Sequence, residues 1–277
     1  MTNLSGKFRL VKLLHLPVLF SLGLMPSLGF AQMGHAFSLQ TGVQHYLTRE
    51  PILSSLSYRG TYVPLQFAYS YTADKSYQEA QIMRGTGELT SSITSTNEFG
   101  RNHYVELLTL QFRYAYLRSF WANAHYTVYG GAALQVAYFD KDITYIRGRD
   151  GRVADVFIAP AAVIAAKGAY GERHRLRAQL SVAPFAYVAA RTYAGNRPPL
   201  PLIGQELTVG NALKYGDWLA VPRFVDLRLA AEYQYQISRH WSVRATYQFQ
   251  HYRYDKLAPF TVRSVMHTLL LGPTFCL

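Results

Sequence analysis

Apolar and polar residues alternate with a period of two along much of this chain, most clearly in its last third. From Trp241 to Gln250 every odd position is apolar or aromatic (Trp241, Val243, Ala245, Tyr247, Phe249) and every even position is polar (Ser242, Arg244, Thr246, Gln248, Gln250). The preceding stretch repeats the pattern. Leu227, Leu229, Ala231, Tyr233, Tyr235 and Ile237 alternate with Asp226, Arg228, Glu232, Gln234 and Gln236, interrupted only by Ala230. A period of two puts successive side chains on opposite faces of a β-strand. Strands of this kind are expected over 36–47, 58–71, 76–84, 102–118, 123–140, 152–169, 175–192, 223–236, 241–254 and 262–277.

Two kinds of connection separate them. The short ones are Thr72–Lys75, Ser119–Ala122, Gly171–His174 and Ile237–His240. The longer ones are Thr48–Ser57, Gly85–Arg101, Lys141–Arg152, Tyr193–Pro222 and Asp255–Thr261. Short and long connections alternate, as do the periplasmic turns and outer loops of bacterial outer-membrane barrels. Four turns and five loops imply ten antiparallel strands with both termini on the periplasmic side. The segment 76–84 is the least regular, and without it the expectation falls to eight strands with an N-terminal arm. Most segments exceed the 9–11 residues a tilted transmembrane strand needs.

The first residues follow a different rule. Lys7, Arg9 and Lys12 precede an apolar run, Leu13–Leu28, which ends at Gly29-Phe30-Ala31 before Gln32. That is the order of a cleaved export signal, so the expected organisation is a signal peptide over 1–31 and one barrel domain over 32–277. No later stretch reaches the roughly 18 apolar residues of a membrane helix. Ala154–Ala169 comes nearest but contains Asp155, Pro160 and Lys167. The single cysteine, Cys276, excludes an intrachain disulfide framework. Tyr (22) and Phe (15) are abundant, charged residues make up only 16%, and mean hydropathy is −0.03. Such dispersed aromatics suit a barrel wall, whose signal per strand is weak. The net charge is +12, or +9 without the three cations of the leader (12 − 3). The cations form no run, so a nucleic-acid partner is not expected.

Several aromatics sit where the edge of a bilayer would be: Phe120 and Trp121 in one turn, Trp241 beside another, and Tyr114 and Tyr116 closing the row Leu108, Leu110, Phe112. They are the expected interfacial girdle. The last strand carries Leu269, Leu271, Phe275 and Leu277 on one face. This ending resembles the C-terminal signal of outer-membrane barrels, with its Phe two residues early. The stretches Arg49–Gly60 and Val262–Gly272 resemble a group of small outer-membrane β-barrels of the Bacteroidota. The resemblance implies location and architecture, and no activity. The barrel-assembly machinery is an expected partner.

Candidate chemistry falls in four places. Glu79, Arg113, Arg177, Asp226, Arg228, Glu232 and Arg244 lie on the expected inner face. Mixed signs in a narrow lumen should pair and fill it, because unpaired buried charge is costly; a small pore or pocket is the alternative. Four histidines, His45, His103, His251 and His267, fall toward the outer ends of strands, with Glu106 and Asp255 at similar heights. Histidine is the natural base near neutral pH, and ten-stranded omptin-type proteases carry a rim acid/His site. His103, His267 and Asp255 are therefore the residues a rim hydrolase of protein or lipid would use. No nucleophile–base–orienter spacing and no paired metal-ligand spacing accompanies them, so neither an enzyme, a metal nor a cofactor is expected. The longest loop, within 193–222, contains Asn196-Arg197-Pro198-Pro199-Leu200-Pro201, and loops of that length are commonly functional or disordered. Finally, Arg49, Arg59, Arg84, Arg101, Arg147, Arg149, Arg152, Arg191, Arg197, Arg223, Arg253, Lys256 and Arg263 mark the loop ends. They form a ring suited to the phosphates of an outer-leaflet glycolipid.

The expectation is an all-β, antiparallel outer-membrane barrel with a structural, interaction or small-solute role. A rim hydrolase and a soluble exported β-sandwich are the alternatives.

Overall fold

The structure, a computed structural model, describes residues 34–49, 57–91, 104–123, 126–144, 150–171, 173–192, 216–257 and 260–277. The expected signal peptide, most of loop 193–222 and His103 lie outside them. Among the described residues the chain forms twelve strands and no helix: β1 (Gly34–Arg49), β2 (Ser57–Thr72), β3 (Ser76–Ser91), β4 (Tyr104–Ala122), β5 (Tyr126–Thr144), β6 (Asp150–Tyr170), β7 (His174–Ala183), β8 (Phe185–Thr192), β9 (Asp217–Ala220), β10 (Phe224–Gln236), β11 (Trp241–Leu257) and β12 (Phe260–Cys276).

Every pairing is antiparallel, and neighbours in sequence pair from β1 through β6. β7 and β8 both pair with β6 and make one stave, bent at Pro184. β9 and β10 make the next, pairing with β8 and β7 respectively. Three residues, Val221–Arg223, turn out of the ladder between them, and the Val221 amide still donates to the Pro184 carbonyl at 2.9 Å. β10, β11 and β12 follow, and β12 closes on β1 with Val43 opposite Leu269. The result is a closed ten-stave barrel. Closure leaves no unpaired edge, as a lipid environment requires. The eight-strand alternative and the soluble sandwich are both excluded.

The outer wall is apolar. Val63 (67% exposed), Leu65 (54%), Leu269 (58%) and Leu271 (58%) belong to an exposed band that also includes Phe67, Ile82, Leu110, Leu134, Ile164, Leu180 and Leu229. A band encircling a monomer far exceeds the few hundred Å² of contiguous apolar surface tolerated in water. Lipid is the solvent this face fits.

The turn expected over Ser119–Ala122 is paired strand at the end of β4, and four further boundaries differ from the sequence expectation. β3 runs on to Ser91 instead of ending near residue 84. β5 and β6 extend through Thr144 and from Asp150, so the connection expected over Lys141–Arg152 is largely strand. β11 and β12 pair as far as Leu257 opposite Phe260, so the loop expected over Asp255–Thr261 shrinks to two residues and breaks the strict alternation of lengths. The expected loop 193–222 contains β9. In each of these four, charged or glycine residues that resembled loop punctuation sit in paired strand.

The wall also needs close approaches. Gly85 and Gly87 face inward on β3, and a Cβ at either would strike the Tyr62 ring lying across them. The glycines are the recess into which the aromatic side chain of the neighbouring strand fits.

Candidate functional site

All seven charged residues expected on the inner face point into the barrel. Glu79, Arg113, Arg177, Asp226 and Arg244 are buried, and Arg228 and Glu232 are partly so. The alternation places them there; the register decides which of them meet.

Five form one network near the short turns. Arg177 on β7 makes a two-point ion pair with Glu79 on β3, Nη1 to Oε1 at 3.0 Å and Nη2 to Oε2 at 2.9 Å. Four stave-to-stave steps separate β3 from β7 around the ten-stave ring, so this pair bridges nearly opposite walls. Arg177 Nη1 also donates to the Tyr77 hydroxyl at 2.7 Å and to Glu232 Oε1 at 3.2 Å, and Tyr77 donates to Glu79 Oε1 at 3.1 Å. Its guanidinium lies 4.4 Å from the centre of the Tyr77 ring. Arg113 reaches Glu79 at 3.6 Å and Arg244 reaches Glu232 at 3.9 Å. Three arginines thus share two carboxylates. Arg177 holds the shortest contacts, while Arg113 Nη2 and Arg244 Nε have no hydrogen-bond partner. Below the network, Ala115, Leu117, Tyr129, Ala133, Val163 and Ala165 pack with Tyr77.

The middle of the barrel is lined by amides. Gln40 donates to Thr246 Oγ1 and to the Arg244 carbonyl, both at 3.1 Å. Gln248 donates to Gln66 at 3.2 Å, and Gln66 to Gln40 at 3.3 Å. Asp226 accepts from Gln250 at 3.0 Å on each oxygen and from Arg228 Nε at 3.2 Å. A cavity of about 40 Å³ lies among Gln44, Gln81, Met83, Gln111, Arg228 and Gln248. At ~10–15 Å³ per water on this measure, it has room for roughly three.

Aromatics pack together in the outer half. The ring centres of Phe139 and Phe157 are 5.8 Å apart, and Tyr252 sits 5.4 Å from Phe139 and 5.3 Å from Phe157. Tyr254 packs edge-on to Phe157 at 5.0 Å. The Tyr46 and Tyr252 hydroxyls bond at 2.6 Å. Enclosed with them is an ion pair that sequence reasoning missed, Lys141 Nζ to Asp155 Oδ2 at 3.2 Å. Its signal is present in the sequence: Lys141 continues the inward row Gln135, Ala137, Phe139, although a charged residue there resembles the start of a loop. The glutamine belt was also missed, since uncharged amides on a polar face carry no mark of their own.

The other candidates lie elsewhere. Tyr114, Tyr116, Phe120, Trp121 and Trp241 are all exposed on the outer wall or at the short turns. His45, His251 and His267 project outward, not into a rim cleft. His45 Nδ1 is 3.1 Å from Thr61 Oγ1, and His267 Nδ1 is 2.8 Å from the Tyr247 hydroxyl. Asp255 lies 3.6 Å from Arg253 and beside none of these histidines in the strand register. Among the described residues no three His, Cys, Asp or Glu side chains cluster as metal ligands. A network of buried ion pairs beneath an aromatic cluster can brace the wall.

No family profile and no curated protein sequence matches the chain. Solved structures do. The outer-membrane protease OmpT of Escherichia coli superposes with a TM-score of 0.62 at 10% identity, covering 91% of this chain and 99% of that one. The toluene transporter TbuX of Ralstonia pickettii gives 0.35 at 10% identity over 88% and 90% of the two chains, and Ail of Yersinia pestis 0.34 at 10% over 88% and 99%. At such identities the likeness is one of fold. The closed antiparallel wall and its apolar exterior place the chain in the cell outer membrane.

Proposed function

We propose that this protein is a closed, non-conducting outer-membrane barrel that acts through its outer wall and extracellular connections, its lumen being a structural brace. The observation that carries this reading is the two-point Arg177–Glu79 pair bridging the lumen beneath the Phe139–Phe157–Tyr252–Tyr254 seal. A porin-like passage for solutes would need both tiers to part. In this reading residues 1–31 are an export signal of a Gram-negative cell, consistent with the resemblance to barrels of the Bacteroidota, and the barrel-assembly machinery inserts the mature chain.

The test is conductance in planar bilayers, with heat-modifiable gel mobility confirming that the barrel is folded. Folded protein should give no steady channel steps. Large, steady steps would reject the brace and favour a pore. The hydrolase alternative predicts turnover of phospholipid, glycolipid or basic peptide that is lost in His267→Ala while the folded fraction is unchanged. The outward orientation of His267 and its bond to Tyr247 favour no turnover.

A further inference from the structure

The strand register gathers four of the basic residues into one patch on the outer wall. Arg49 on β1 is directly opposite Arg263 on β12, and Arg263 is directly opposite Arg253 on β11. On the other side of β1, Arg59 of β2 is opposite Leu47, two residues from Arg49. Arg49, Arg59 and Arg263 are exposed and Arg253 is half-buried, all on the lipid-facing side.

Their heights agree. Rows of paired residues climb from β11 toward β2: the row Trp241–Phe275–Phe37–Tyr69 begins at the lower end of β11 and lies three residues in from the lower ends of β1 and β2. The two-residue offset of Arg59 compensates for that climb. Arg253 is 12 residues from the lower end of its strand (253 − 241), Arg263 is 13 (276 − 263), Arg59 is 13 (72 − 59) and Arg49 is 15 (49 − 34). The four side chains therefore form a belt across four adjacent staves, at the outer end opposite the short turns. Directly beneath it are Leu47, Val265 and His251, then His45, His267 and Phe249, then Val43, Leu269 and Tyr247. The surface grades from cationic to mixed polar and aromatic, then to apolar.

Only one of the four arginines has an acidic partner among the described residues. Arg253 is 3.6 Å from Asp255, and its Nε has no hydrogen-bond partner. Among the described residues no acid lies within ion-pair distance of Arg49, Arg59 or Arg263. Among the described residues of the outer face, Glu88 and Glu106 stand one and two staves beyond Arg59 on β3 and β4. The three remaining cations at the top of an apolar wall repel one another unless an anion sits among them.

We infer that this belt binds the phosphates of an outer-leaflet glycolipid whose acyl chains lie on the apolar wall below. The chemistry selects the class. Planar guanidinium groups match phosphate oxygens bidentately and stay charged at any physiological pH. Three stave spacings of about 4.8 Å spread the belt over roughly 14 Å. A single-phosphate glycerolipid would engage one or two of the arginines. A headgroup with a phosphate at each end of a sugar backbone would engage the whole belt. The site is independent of the lumen, so it can fail while the closed-barrel reading stands, and conductance tests the latter separately.

The experiment titrates folded full-length barrel in neutral detergent with three probes: bisphosphorylated lipid A, the same glycolipid with both phosphates removed, and phosphatidylglycerol. Binding is read by native mass spectrometry and by the shift in melting temperature. The variant is Arg49→Gln with Arg263→Gln. The control, Arg118→Gln with Arg239→Gln, removes equal charge at the opposite end, where both residues are exposed. Heat-modifiable mobility verifies folding of each. The proposal expects saturable binding of the bisphosphorylated probe, at least tenfold weaker in the belt variant and unchanged in the control, with little binding of the dephosphorylated probe. Equal affinity in both double variants would overturn it. So would phosphatidylglycerol binding as tightly as the bisphosphorylated lipid, which would reduce the belt to a general anionic surface.

Discussion

Arg177 shows how one side chain becomes structural through what surrounds it. Its guanidinium uses both terminal nitrogens on Glu79, a third contact on Glu232 and a fourth on the Tyr77 hydroxyl, and bonds Gln179 on its own strand as well. Removing Glu79 leaves Arg113, Arg177 and Arg244 with a single carboxylate. Stripping one partner from a buried pair costs about 3–5 kcal/mol because the other charge stays desolvated. Glu79→Gln should therefore lower unfolding free energy in lipid by that order, measured by urea titration. Arg113→Gln should cost less, since Arg113 sits 3.6 Å from Glu79 and already has an unpartnered Nη2. A change under ~1 kcal/mol for Glu79→Gln, the range of exposed pairs, would mean that water reaches the network. The Tyr62 recess gives a second test of the same scale. Gly85→Leu must displace the Tyr62 ring and should lower the folded yield, while Thr86→Leu, one residue along and facing outward, should not.

At the scale of the strand, the two faces have different solvents, and depth sets the cost of a wrong charge. Leu229 and Tyr235 lie on the same outward face of β10, Leu229 midway along the strand and Tyr235 near its lower end. A cation at the midplane of a barrel's lipid face costs roughly 2–4 kcal/mol, falling to about 0–1 near the interface. Leu229→Arg should thus impair folding into lipid vesicles far more than Tyr235→Arg; equal effects would show that the exposed band is not embedded. The facing of β10 and β11 was legible because their alternation is almost unbroken. That of β3 was legible only to Arg84, because Gly85 and Gly87 hold inward positions with no side chain and thereby erase the contrast that alternation relies on. The outer ends of β5, β6, β11 and β12 were read as loop because Lys141, Asp142, Asp255 and Lys256 resemble solvated charge, whereas Lys141 is fully buried against Asp155. Inner-face charges could be assigned from parity alone. Their partners could not, because Glu79 and Arg177 are 98 residues apart and meet only through the closed ring.

For the whole molecule, the closed-barrel proposal implies two obstructions of the lumen in series. The charged tier sits toward the short turns, the aromatic tier toward the outer ends, and the water-sized cavity among the glutamines lies between them. Two barriers in series conduct only when both are breached, so the lesions should act cooperatively on conductance. Replacing Glu79 and Arg177 together with alanine removes the lower bridge while preserving net charge, and the variant should remain non-conducting because Phe139, Phe157 and Tyr252 still meet. Replacing Phe139 and Phe157 with alanine opens the upper tier at a packing cost of about 3–5 kcal/mol each. It too should remain closed, held by Arg177 on Glu79 and Glu232. Only the fourfold variant, verified as folded by heat-modifiable mobility, should show channel steps in a planar bilayer. Conductance from the lower-tier variant alone would show that the aromatic cluster admits ions and that the ion-pair network is the single gate. A silent fourfold variant would place the seal in the amide belt, where Gln40, Gln66 and Gln248 are already linked across the neighbouring staves β11 to β2.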